Sequence, residues 1–381
     1  MSERRSSADI MVAEEHDRLT YFQELCRGFQ RAEGAAGDPI DRFYSFAGHT
    51  ARFRFAGPAL VPLLTPAIAH LETAPAPPLL TVWVWDSVST DTRMPLLVSS
   101  LVSLLRLRWW EQLDIRREIK GYNSQRIRTT FHLGPDILSA LDTQQHLAVY
   151  WVEDARQIPY YEKGYPFTSI LSWWLEELGC QFVHAAAVGT PTGGVLLPGK
   201  GSSGKSTTTL ACVEAGLYFL SDDYSLVVSD PSPSAHSVYN TAKLKGKEDI
   251  DRFPRVLPMI ANRDRLGEEK ALIFLQEHCP ERIVRGFPIK AILVPKITGQ
   301  SHTRLEAATP GTAFRAFAPS TIIQLSGAGQ SAFRAMSSLV KRVPCYVLEL
   351  GTRVSEIPEV IQRVLSDASR GDPEGARRGG E

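Results

Sequence analysis

Val195-Leu196-Leu197-Pro198-Gly199-Lys200-Gly201-Ser202-Ser203-Gly204-Lys205-Ser206-Thr207 is the stretch on which the reading of this chain turns. An apolar run ends at Pro198, and Gly199–Ser206 then satisfies G-x-x-x-x-G-K-[ST] in full. Glycines let a backbone turn its N–H groups inward around a phosphate, and a following helix adds the positive end of its dipole. In that pattern Lys205 reaches the β- and γ-phosphates, and the Ser206 hydroxyl serves Mg²⁺. Gly199, Lys200, Gly201, Ser202, Ser203, Gly204, Lys205, Ser206 and Thr207 are the expected nucleotide contacts. Gly194–Pro198 reads as a buried strand, Lys205–Glu214 as a helix stopped by Gly216, and Leu217–Leu220 as the next strand. Strand, glycine loop, helix, strand is the pattern of an α/β domain.

Asp222 and Asp223 follow that next strand, where ligands of such sheets bind. One carboxylate there can hold Mg²⁺, and the other can accept a proton from an attacking hydroxyl. His184 lies on the preceding apolar strand, Phe182–Val188. A neighbouring Asp would favour its charged form and be oriented by it in turn.

Further toward the C-terminus, residues 230–290 are polar and broken by prolines. Ile289–Val294 and Tyr346–Leu350 read as strands, Ile357–Leu365 as a final helix, and Gly371–Glu381 as a disordered tail. Toward the N-terminus, Phe167–Gly179 reads as a helix with Ile170, Leu171, Trp174, Leu175 and Leu178 on one face. Phe43–Phe46, Ala51–Phe55, Leu79–Trp85, Arg126–Leu133 and His146–Val152 read as strands, and Leu60–Leu71 as a helix. Residues 1–20 are polar and expected to fray. The expected organisation is a mixed, β-rich domain over 1–155, an α/β domain over 160–368 and a disordered tail over 369–381.

Composition narrows the function classes. The 381 residues carry 42 Lys+Arg against 42 Asp+Glu, which lacks the basic excess of a nucleic-acid binder. No apolar run is long enough for a transmembrane helix, and the N-terminus does not read as a signal peptide. The five cysteines are far apart and form no C-x-x-C pair, which points to a reduced, cytoplasmic setting.

His184 stands fifteen residues before Gly199, and Asp222-Asp223 begins seventeen residues after Lys205. With Leu196–Thr208 and the later Arg285-Gly286, this order resembles the catalytic domain of HPr kinase/phosphorylase and its kinase-like relatives. It is similar above all to the branch found beside bacterial peptide-modification genes. The family's Glu two residues before the Arg-Gly pair is Ile283 here, and the first 150 residues do not resemble the N-terminal domain of HPr kinases. The resemblance implies a P-loop HPr-kinase-like (phosphoenolpyruvate carboxykinase-like) α/β fold and an ATP- and Mg²⁺-dependent serine kinase. It implies that Ser206 and Asp223 hold Mg²⁺, that Asp222 paired with His184 is the base, and that Arg285 balances charge on the transferring phosphoryl group. Which aspartate does which job stays open.

The implied acceptor is a serine of a peptide or protein, such as a ribosomal peptide precursor. A small-molecule alcohol is the second reading, and a nucleotide-binding switch with little turnover the third. No nucleic acid or membrane partner is expected, and a homo-oligomer is compatible with the sequence. Trp83, Trp85, Trp109, Trp110, Trp173 and Trp174 read as packing residues, with a peptide groove as the minority reading. Lys243-Leu244-Lys245-Gly246-Lys247 reads as a solvated basic loop, with phosphate contact as its functional alternative.

Overall fold

A computed structural model describes residues 13–95, 103, 109–327 and 329–370. Of the tail expected over 369–381, residues 369–370 continue the last helix, and 371–381 lie outside the described residues, as do the side chains of Trp109 and Trp110. The architecture is mixed α/β, with two large sheets and a two-stranded ribbon. It divides into two compact units. The residues up to Arg42, Arg52–Val61 and Leu79–Ile158 form the first, and Phe43–Ala51, Pro62–Pro78 and the residues from Pro159 onward form the second. The division therefore does not cut the chain at one point. Two segments expected in the N-terminal domain, 43–51 and 62–78, belong with the later residues.

The first sheet contains β1 (Ile40–Phe46), β2 (His49–Phe55), β3 (Leu80–Asp86), β4 (Ile127–His132), β5 (Ile137–Asp142) and β6 (Leu147–Val152) in the order β1-β2-β3-β6-β5-β4. In the first unit, helix α1 (Glu15–Ala36) buries Tyr21, Phe22, Leu25, Phe29 and Ala32, spaced to share one helical face. Phe29 stacks on Trp83 at 4.8 Å and meets Trp85 edge-on at 6.1 Å. Those two tryptophans are therefore packing residues. The fraying expected through residue 20 is overturned from Glu15 onward. Asp17 accepts the Glu14 backbone N–H at 3.0 Å, which closes a capping box at the start of the helix. The expected helix over Leu60–Leu71 is only a short turn, Val61–Leu64, and a 3₁₀ segment, Pro66–Leu71. Pro62 and Pro66 each withhold a backbone donor there.

The second sheet holds β7 (Gln181–Thr190), β8 (Gly193–Pro198), β9 (Tyr218–Ser221), β10 (Tyr224–Val228), β11 (Ser234–His236), β14 (Gly286–Ile297), β15 (Arg304–Ala307) and β16 (Cys345–Leu350). Strand β14 pairs in parallel with β8 and β16, whereas β7 is antiparallel to β8, β9 and β10. The ribbon is β12 (Thr241–Leu244) with β13 (Ala271–Phe274). The helices of this unit are α2 (Thr168–Glu177), α3 (Lys205–Glu214), α4 (Pro310–Gln324), α5 (Gln330–Arg342) and α6 (Glu356–Arg370). Ile357 and Ile361 of α6 and Cys212 of α3 pack with Val195, Leu197, Leu293 and Leu348 of the strands in one core.

Segment 62–78 is tied into this unit by hydrogen bonds. Asn240 donates from Nδ2 to the carbonyls of Pro66 at 2.8 Å and Ala67 at 2.9 Å. His70 Nε2 lies 2.8 Å from Ser237 Oγ, with both side chains buried.

Candidate functional site

Strand register explains why distant residues meet. Strands β8 and β9 lie on opposite edges of β7, both antiparallel to it. Pro198 at the end of β8 pairs with Ala185, and Ser221 at the end of β9 pairs with Ala187. The glycine loop that follows Pro198 and the Asp222-Asp223 turn that follows Ser221 therefore flank the same part of β7. His184 stands in that part, opposite Tyr224. The Asp-Asp turn is pinned by its neighbours. Ser221 and Ser225 hydroxyls lie 2.5 Å apart, and both donate to the Ala185 carbonyl.

The loop needs Gly204 above all, and Gly199 is closely approached. Gly204 has φ of 98°, and a Cβ added there would come within 2.4 Å of Leu350 Cδ1. A Cβ on Gly199 would lie 2.6 Å from Ser203 Oγ. Helix α3 begins at Lys205, whose buried Nζ donates to the loop's own carbonyls, Gly199 at 2.6 Å and Lys200 at 3.2 Å. Burial lowers the Lys205 pKa, against the pull of Asp223 and Asp222.

The two carboxylates sit in different environments. Asp222 is buried, and its Oδ2 accepts the Lys243 backbone N–H at 3.0 Å. Ser206 interacts with the same carboxyl group. Its Oδ1 has no close hydrogen-bond partner among the described residues. Burial first, and the neighbouring Asp223 second, push the Asp222 pKa well up. Asp223 faces a cluster of donors. Its Oδ2 lies 2.9 Å from Lys243 Nζ and accepts the Tyr165 hydroxyl at 3.0 Å. Its Oδ1 lies 3.6 Å from His184 Nε2. Burial, the largest influence, would raise this carboxyl, but the Lys243 ammonium together with His184 and Lys205 outweighs it and holds its pKa low.

These distances correct one expectation. His184 faces Asp223, and the expected Asp222–His184 pair is not made. Ser206, expected to hold Mg²⁺ with Asp223, interacts here with Asp222. His184 is also not an imidazolium at neutral pH. Burial, followed by the Lys205 charge, lowers its pKa to about 4. Asp223 opposes that shift without overcoming it.

A cavity of about 210 Å³ opens over the loop. Gly201–Thr207 line it together with Asp223, and Lys243, Lys245, Arg252 and Lys270 add positive charge. Arg285 is not among its lining residues. That side chain is exposed, and its carbonyl accepts from Ser237 N at 3.0 Å. Among the described residues, the cation that approaches Asp223 beside the loop is Lys243. Tyr165 and Lys243 both escaped assignment from sequence. The signal for Lys243 was its basic run, and Tyr165 gave none beyond an aromatic stretch.

An adjoining cavity of about 150 Å³ is lined by Gly204, Thr207, Arg252, Ile297, Leu350 and Val354 among others. Its apolar side chains suit a flat ring, and Arg252 reaches both cavities. Among the described residues, no cluster of three or more His, Cys, Asp or Glu could hold a metal ion. A divalent ion here would complete its shell with phosphate and water oxygens, as Mg²⁺ does. The donor set fits that ion. Asp222 Oδ1 is buried without a hydrogen-bond partner, and Ser206 supplies a hydroxyl against the same carboxyl group.

Among the described residues, no helix is long and apolar enough to cross a membrane. No family model matches the chain, and no curated protein matches it. Among solved structures, it is similar to the Hpr(Ser) kinase/phosphatase from Coxiella burnetii, with 11% identity and a TM-score of 0.28. The match covers 50% of this chain and 97% of that one. A likeness that slight bears on neither fold nor chemistry.

Proposed function

We propose that this chain is an ATP- and Mg²⁺-dependent kinase that transfers the γ-phosphoryl group to a hydroxyl, a serine of a peptide or protein. The observation that carries this reading is the difference in surroundings between the two carboxylates beside one glycine loop. Asp222 shares its surroundings with Ser206, and Asp223 faces His184 and the loop cavity. A protein that only binds nucleotide has no use for a second carboxylate turned toward the phosphates.

The residues divide the work as follows. The loop amides cradle the phosphates, and Lys205 turns from the Gly199 and Lys200 carbonyls to the β/γ bridge. Ser206 and Asp222 would hold Mg²⁺, which neutralises charge on the phosphates when bound. Asp223 stands at the cavity wall to orient the acceptor hydroxyl and take its proton, with neutral His184 behind it. The cavity lined by Ile297 and Leu350 takes the nucleobase. Positioning and electrostatics supply most of the rate in such transfers. Acceptor recognition is assigned to residues 1–155, since every phosphate-handling group named here lies after them.

Lys205→Ala tests the reading. It should weaken Mg-ATP binding and abolish transfer, measured by calorimetry and by label incorporated from γ-³²P-ATP. Unchanged affinity and unchanged incorporation would refute it.

A further inference from the structure

The residue that touches both carboxylates belongs to neither the glycine loop nor the Asp-Asp turn. Strand β12 alternates. Ala242 and Leu244 enter a core with Leu210, Phe219 and Ile273. Thr241 and Lys243 point the other way, toward the turn at Gly164-Tyr165. There Thr241 Oγ1 donates to the Gly164 carbonyl at 2.9 Å, and Lys243 Nζ lies 4.1 Å from the centre of the Tyr165 ring. The backbone N–H of Lys243 is committed to Asp222, while its ammonium is 2.9 Å from Asp223 and lines the loop cavity.

We propose that Lys243 is the residue that recognises the terminal phosphate of the nucleotide, its ammonium swinging from Asp223 to the γ-phosphoryl oxygens while its backbone stays on Asp222. This rests on the kinase reading above and adds a residue to it. The position follows from what must meet at Asp223. An acceptor hydroxyl on that carboxylate has to lie in line with the phosphorus it attacks. A cation already bound to Asp223 is therefore next to the transferring group and farther from the phosphates that remain on the nucleotide. Lys205 approaches the β/γ bridge from the helix end of the loop, so its ammonium serves a diphosphate as well as a triphosphate, whereas that of Lys243 serves the terminal group alone. Lysine suits this task because its flexible stem lets one point charge serve two partners in turn. The Tyr165 ring, which is buried and fixed, gives the stem an aromatic face along which to move.

The test reads binding alone, so no acceptor is needed. The probes are Mg-ADP and the Mg complex of the non-hydrolysable triphosphate AMP-PNP, titrated by calorimetry into the full chain. A charge-assisted hydrogen bond is worth about 1.5–3 kcal/mol, or roughly 10- to 150-fold in affinity. Lys243→Ala should therefore lose about 10-fold or more for AMP-PNP and keep its Mg-ADP affinity. Lys243→Gln still offers a donor to Asp223, so it protects the fold if the alanine variant proves unstable, and it should show the same selective loss. Lys243→Arg should restore most of the AMP-PNP affinity. Lys205→Ala should weaken both nucleotides. Equal losses for both nucleotides in Lys243→Gln, or no loss for either, would overturn the proposal and leave Lys243 as a structural counter-charge. If the unmodified chain binds neither nucleotide, the kinase reading falls, and this assignment falls with it.

Discussion

His184 Nε2 lies 3.6 Å from Asp223 Oδ1, and its backbone N–H is held by Thr321 Oγ1 at 3.0 Å. The backbone at His184 is thus anchored, and its imidazole stands beside the carboxylate that borders the loop cavity. Asp222 is turned away toward Ser206 and the Lys243 backbone.

The two aspartates should fail in different ways. Asp223→Asn should keep Mg-nucleotide affinity and lose about 10²–10⁴-fold in transfer, the usual cost of removing a general base. Asp222→Asn should lose the enhancement of nucleotide binding by Mg²⁺. Titrating ATP with and without the metal, alongside label incorporation, separates the two. The opposite pattern would exchange the roles.

His184 should be neutral in the folded chain at pH 7. Its pKa is lowered to about 4 from the ordinary 6.5, by burial and then by Lys205. The unfolded chain therefore binds this proton more readily. The contribution to stability is complete above about pH 6.5 and fades as pH falls toward 4. Ring-nitrogen NMR shifts should show no titration of His184 between pH 6 and 8. A midpoint near 6.5 would contradict the burial argument.

Asp142 should matter to the first unit far more than a surface acid. Its buried carboxylate accepts Arg126 Nε at 3.0 Å, Arg126 Nη2 at 2.8 Å and Gln145 Nε2 at 2.7 Å. Burial would raise its pKa, but the Arg126 and Gln145 hydrogen bonds prevail and hold it below the usual carboxylate range. Asp142→Ala should cost about 2 kcal/mol, less than a fully buried pair because Arg126 reaches solvent. The same stabilisation is present above the ordinary carboxylate pKa and is lost as pH falls through the lower, folded value. Denaturant melts at pH 7 and pH 3 should show the gap between parent and variant shrinking in acid. A constant gap would count against the ion pair as its source.

A fragment beginning at residue 159 should be less stable than the whole chain. It lacks Pro66, Ala67 and His70, which satisfy buried groups of Asn240 and Ser237. Stranding such groups costs about 1–3 kcal/mol each. Hydrogen exchange should show loss of protection around 237–243 in the fragment. Full protection there would show that segment 62–78 is dispensable.

The core of the second unit was legible because its patterns are local. The loop's glycines, the run Phe182–Val188 and the helix from Lys205 each announce themselves within a dozen residues. Helix α1 was missed despite Phe22, Leu25 and Phe29 at helical spacing, because polar residues dominate its outer face. Strand β5 was missed because all six of its residues are buried and do not alternate. The partners of the aspartates could not be read. Asp222 and Asp223 are neighbours in sequence, and only the turn between β9 and β10 decides which of them faces β7. Lys243 lay in a stretch that reads as solvated, and its position depends on its pairing with Leu272 in β13. Arg285 was expected on a motif alone, and its neighbourhood is His70 and Ser237, away from the loop cavity.

The central claim is phosphoryl transfer at the Gly199–Ser206 loop. The most direct measurement incubates the purified chain with γ-³²P-ATP, Mg²⁺ and the peptide and protein fraction of its own cell. Label should appear on serine in an acceptor with the parent chain, and should be absent with Asp223→Asn and with Lys205→Ala. Tight Mg-ATP binding with no label on any acceptor, or equal labelling by the Asp223→Asn chain, would contradict the account.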